Sequence, residues 1–172
     1  MPQSSIHDNQ KSQTSVVDVN TINPFLTAAM NIIETVSQIK SKVGKPCIKD
    51  TSFTDNAVLI MLGVTGQLEG QVILEINEES AKLLASKMMM GFEIPELTEM
   101  AMSAISELGN MIMGNAATIF SIQNRLIDIT PPTVARGNVV MSRQYAANIC
   151  VPLFQTDGSP LLNLNIAIRG KN

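Results

Sequence analysis

Apolar residues recur at helical spacing between Glu96 and Ser121, and this stretch organises the chain. At roughly 100° per residue, Ala101, Ile105, Leu108, Ile112, Ala116 and Ile119 gather on one side of a long predicted helix. Ser103, Glu107, Asn110 and Gly114 follow the spacing i, i+4, i+7, i+11 and form a narrow stripe on the other side. Upstream, Asn23-Pro24 reads as a helix start, with Asn23 as N-cap and Pro24 at the first helical position. Phe25, Leu26, Ala29, Ile32, Ile33, Val36 and Ile39 then carry an amphipathic helix to about Lys42, which Gly44 ends. Ala57 to Val64 is a continuous apolar run, as expected of a strand buried on both faces. Thr65-Gly66-Gln67 makes a turn, and Leu68 to Ile76 alternates, with Val72, Leu74 and Ile76 on one side and Gln71, Ile73 and Glu75 on the other. Strands joined by so short a loop are antiparallel. Glu78 to Met90 reads as a helix ended by Gly91, with Met88, Met89 and Met90 filling the core rather than ligating copper. Pro131-Pro132 sits in a turn after Ile127-Asp128-Ile129. Three strands follow, Thr133 to Met141, Ala147 to Gln155 and Leu161 to Arg169, the last two joined by a hairpin turn at Thr156-Asp157-Gly158. The fold class predicted is α+β: a mostly antiparallel sheet with helices packed on one face.

Residues 1–20 are rich in Gln, Ser, Asn and Thr. They read as a disordered tail, or as a short edge strand through Val16, Val17 and Val19. Residues 21–172 are read as one domain, long enough to bury its own core.

The stripe on the long helix is unusual for a solvated face. Such faces carry long charged side chains in i,i+4 pairs, whereas this one has one carboxylate, one amide, one hydroxyl and no basic residue. Gly109, Asn110, Gly114 and Asn115 are all poor helix formers, Gly costing about 1 kcal/mol relative to Ala. Taken alone, the stripe reads first as an ordinary surface, or as a site of close packing, and does not identify a reaction.

Composition removes other chemistries. His7 is the only histidine and lies in the polar tail, so Ser-His-Asp and Cys-His nucleophile pairs are excluded. No spacing suggests a metal site, and no glycine-rich phosphate loop or dinucleotide fingerprint occurs. Twelve Lys and Arg against fifteen Asp and Glu leave no broad basic surface for nucleic acid. No apolar run is long enough to span a membrane, and the start, which lacks a charged-then-apolar pattern, does not read as a signal peptide. Cys47 and Cys150 have no metal-type spacing and read as two buried thiols in a reducing cytoplasm.

The wider pattern is specific. Ser103-x3-Glu107-x2-Asn110, then twenty-one residues, then Pro132, resembles the signature of the CheC, CheX and FliY phosphatases of bacterial chemotaxis at all four positions and all three spacings. Leu62 to Gly70, Ala101 to Gly114 and Asp128 to Val134 look like the CheX branch in particular, and a single Glu-x2-Asn element, rather than two, favours that branch. The resemblance covers roughly residues 23–170.

The resemblance implies hydrolysis of the aspartyl phosphate of a phosphorylated CheY-like response regulator. It implies no cofactor of the chain's own, since the regulator brings its Mg²⁺ and a lysine. Asn110 is implied to orient the attacking water, a task an amide suits because it both donates and accepts. Glu107 is implied to pair with the regulator's lysine. Ser103 makes a lesser contact or supports the helix, Gly109 and Gly114 let the partner approach, and Pro132 stiffens a turn. The family also implies a homodimer. The sequence leaves a second reading open, a non-catalytic module that docks a response regulator or a flagellar switch component with the same helix.

Overall fold

The computed structural model describes residues 18–54, 56–141 and 146–171. The proposed tail, with Val16 and Val17, lies outside them up to residue 17.

Asp18 begins the first helix, α1 (Val19–Ser37): its carboxylate accepts from the Asn20 N–H at 3.0 Å. The expected start at Asn23 is thus too late, and Val19 lies in a helix rather than an edge strand. Pro24 sits inside α1. Its missing N–H leaves the Asn20 carbonyl without an intrahelical donor, and the Arg125 guanidinium donates to that oxygen instead, at 3.4 Å. The helix also ends earlier than expected. Gln38 turns left-handed (φ 59°) and its N–H donates to the Glu34 carbonyl. Residues assigned to the helix end form β1 (Ser41–Val43) instead.

The strands that follow are β2 (Cys47–Ile48), β3 (Ser52–Phe53), β4 (Ala57–Gly66) and β5 (Leu68–Asn77). Then come α2 (Glu78–Met88), α3 (Glu99–Ile122), β6 (Ile127–Ile129), β7 (Thr133–Arg136), β8 (Val139–Val140), β9 (Ile149–Gln155) and β10 (Pro160–Gly170). Among the described residues the main sheet has eight strands, in the order β1-β9-β10-β5-β4-β6, with β2 also pairing β9 and β7 also pairing β4. Every pair is antiparallel. The single strand expected over Thr133 to Met141 is two, because Gly137 (φ 96°) turns the chain away from β4 and lets β8 pair with β3.

Alternation along β4 and β5 sorts the faces. Val58, Ile60, Leu62, Val64, Val72, Leu74 and Ile76 join the core beneath the three helices. Leu59 and Ile73 enter a smaller cluster with Phe53 and Ala57 on the other face, under the β3–β8 ribbon. The run Ala57 to Ile60 is therefore buried on both sides, as its unbroken hydrophobicity requires. The fold is α+β with its helices on one face, as expected. Met90 departs from expectation: it is left-handed (φ 62°) and 92% exposed, beyond the end of α2.

Candidate functional site

The site is built on α3. Thr98 is its N-cap, its hydroxyl accepting from the Ala101 N–H at 3.3 Å. The cap sets the start three residues after the expected Glu96, and the far end, Ile122, lies one residue beyond the expected Ser121. Ala101, Ile105, Leu108, Gly109, Ile112, Met113, Ala116 and Phe120 are buried. Phe120 meets Phe25 of α1 edge-to-face, with ring centroids 5.1 Å apart. Ile119 is only partly buried, since Phe120, next in sequence, takes the core-facing position.

Ser103, Glu107, Asn110 and Gly114 are all exposed. The helix brings them together as a stripe, with Glu107 and Asn110 three residues apart and so neighbours on the surface. Among the described residues, none of the side chains of Ser103, Glu107 and Asn110 has a hydrogen-bond or ion-pair partner within the protein. A carboxylate and an amide are thus presented free, on a rigid helix packed against a complete core. That arrangement can orient a water molecule and accept a cation from an incoming molecule. Met100, one turn before Ser103, continues the stripe and is 68% exposed. Met100 is not assigned to the stripe from the sequence; its spacing of three from Ser103 and seven from Glu107 is the signal that places it there.

The two glycines part company. Gly114 lies on the stripe, and a Cβ there would meet nothing within 4 Å. Gly109 is buried, and a Cβ there would lie 2.7 Å from Ile60 Cγ2 and 3.4 Å from Leu62 Cδ1. Gly109 therefore cannot let a partner approach, as the sequence suggested; it lets α3 approach β4. Pro132 is half-buried in the link between β6 and β7, both of which lie beside β4 and beneath α3. Just before it, Thr130 Oγ1 accepts from the Gly63 N–H at 2.8 Å, and the Thr130 N–H donates to the Gly63 carbonyl at 3.1 Å. Pro132 thus belongs to the scaffold under the helix.

Away from α3, a polar network occupies the opposite face of the sheet. The Glu75 carboxylate accepts from Lys49 Nζ at 2.9 Å and from Asn163 Nδ2 at 3.2 Å. Asn165, fully buried, accepts from Asn148 Nδ2 at 3.0 Å. Its charges compensate one another. Among the described residues, no group of three or more His, Cys, Asp or Glu could hold a metal ion, and no helix is long and apolar enough to cross a membrane.

Comparison with known proteins places these features in a family. The family described as chemotaxis phosphatase CheX matches residues 58–154, which include α3 and Pro132. The chain is 32% identical over 137 residues to the CheY-P phosphatase CheX of Thermotoga maritima, covering 80% of this chain and 88% of that protein. Among solved structures, the CheX of a CheX–CheY–BeF3–Mg²⁺ complex from Borrelia burgdorferi is 30% identical, with a TM-score of 0.74 over 88% of this chain and 99% of that one. A CheC-like superfamily protein from Shewanella sp. PV-4 is 26% identical, with a TM-score of 0.77 over 89% of this chain and 99% of that one.

Proposed function

The chain belongs to the CheX family of chemotaxis phosphatases, and from that premise we propose that it hydrolyses the aspartyl phosphate of a phosphorylated CheY-type response regulator. The observation that carries this reading is the Glu107–Asn110 pair, exposed and without partners among the described residues. A residue pair kept for stability would be expected to bond within its own protein. The activity of the Thermotoga relative and the CheY partner of the Borrelia one support the choice of substrate.

Phosphoryl transfer depends on positioning and on charge stabilisation. In this reading the regulator supplies Mg²⁺ and a lysine, and lacks only a well-placed nucleophile. Asn110 enters the regulator's site, its amide oxygen accepting from water and so holding that water in line with the phosphorus. Ordering a reactant in this way lowers the barrier through entropy that docking has already spent. Glu107, one turn earlier, pairs with the regulator's lysine and fixes register. Ser103 and Met100 extend the contact toward the start of α3, and Gly114 lets the partner's backbone approach at its middle. The protein acts in the cytoplasm as a homodimer; β1 and β6 end the sheet with open backbone edges among the described residues, where a second copy can pair.

The test is the decay of phosphorylated CheY from the same organism, with and without this protein and its Asn110→Ala variant. Acceleration by the wild type, reduced at least about a hundredfold in a folded variant, supports the reading. Binding without acceleration would favour the docking module, and full activity in Asn110→Ala would remove the water-positioning role.

A further inference from the structure

Cys47 and Cys150, far apart in sequence, are direct Cα partners in the β2–β9 ladder. Opposed residues of an antiparallel pair have Cα atoms about 4.5–5.5 Å apart, within the roughly 4.4–6.8 Å that a disulfide spans. Directly opposed side chains leave the same face of the sheet, and here it is the face away from the helices. Both cysteines are free, Cys47 exposed and Cys150 buried. This corrects the expectation of two separate buried thiols. Burial pushes the Cys150 thiol up to about 11, opposed by the nearby Lys49 ammonium and assisted by Cys47 and Glu75.

We propose that Cys47 and Cys150 are a modification site, a dithiol that low-molecular-weight disulfides oxidise to a reversible intramolecular disulfide across β2 and β9. The accessible thiol reacts first. Cys47 loses its proton and attacks one sulfur of the small disulfide. The S–S bond of that molecule breaks, one half leaves as a thiolate that takes up the proton, and Cys47 carries the other half as a mixed disulfide. Cys150 then attacks the Cys47 sulfur, its proton leaving with the second small thiol. Two protein thiols are oxidised and one small disulfide is reduced to two thiols. The bond fastens β2, a two-residue strand, to β9. Because it lies on the face opposite α3, it is independent of the phosphatase reading.

The experiment incubates the full-length protein with oxidised glutathione, quenches with acid and alkylating agent, and maps the cysteines by mass spectrometry. Wild type should lose both alkylatable thiols together and yield a Cys47–Cys150 cross-linked peptide from monomeric chains, with dithiothreitol restoring both thiols. Cys150→Ser should stop at a glutathione adduct on Cys47. Cys47→Ser, which alters only an exposed side chain, should leave Cys150 reduced. A wild-type protein that stops at the adduct, joins two chains through Cys47, or keeps both thiols overturns the proposal. So does glutathione on Cys150 in Cys47→Ser.

Discussion

Gly109 of α3 lies directly over Ile60 of β4, so close that a Cβ on Gly109 would stand 2.7 Å from Ile60 Cγ2. This contact seats the helix that carries Glu107 and Asn110. Ile60 is fully buried and β-branched, so its side chain cannot swing aside. Gly109→Ala should therefore destabilise the protein by up to about 2 kcal/mol, an overpacking cost of about 1–3 less a helix-propensity gain of about 1. Chemical denaturation measures it. The double variant with Ile60→Ala should lose less than the sum of the two single losses, because the clash is shared; strict additivity would place the strain elsewhere.

Gly114 should answer the same substitution with the opposite sign. Its missing Cβ faces open space, so Gly114→Ala should raise stability by about 0.5–1 kcal/mol. If the regulator's backbone lies against this position, kcat/KM should fall in the same variant. A higher Tm with unchanged kcat/KM would make Gly114 only a poor helix former.

How far the sequence reaches is visible in these two glycines. The helix itself is legible because its apolar residues repeat with one period over about five turns, and the stripe is what that period leaves over. Gly109 and Gly114 look alike in sequence, and only the distance between α3 and β4 tells them apart. The start of α1 was misread because Asp18 and Asn23-Pro24 are both capping signals; Arg125, remote in sequence, decides for Asp18 by satisfying the carbonyl that Pro24 deserts. The opposition of Cys47 and Cys150 is illegible for the same reason. It depends on the register of a two-residue strand against one far along the chain, and no local pattern carries that. In the site, Ser103, Glu107 and Asn110 are legible as a set; Met100 lies on the same stripe by its spacing, but as an apolar residue it does not stand out as exposed until α3 is seen on the sheet.

Ile112 provides the check on the helix faces. It is fully buried on the side opposite the stripe. Ile112→Asp places a carboxylate in an apolar core with no partner, a cost of several kcal/mol, and should abolish the cooperative unfolding transition. Ile112→Val should fold and lose only about 0.5–1.5 kcal/mol. A stable, active Ile112→Asp protein would contradict the packing of α3.

Glu107 tests how the two proteins are held in register. Exposed on α3 with no internal partner among the described residues, it contributes little to folding, so Glu107→Ala should leave the unfolding transition within about 0.5 kcal/mol of wild type. Its effect should appear on docking. A charge pair formed across an interface costs about 2–5 kcal/mol when one partner is truncated, so kcat/KM of Glu107→Ala should fall by at least tenfold, with KM rising. Glu107→Asp keeps the charge on a shorter arm and should retain part of the activity. Salt separates the ion pair from other contacts. Raising ionic strength should lower kcat/KM of the wild type and have a weaker effect on Glu107→Gln, which has no charge left to screen. Equal salt dependence in the two proteins, or equal losses in Glu107→Ala and Glu107→Asp, would mean that Glu107 acts through geometry rather than charge.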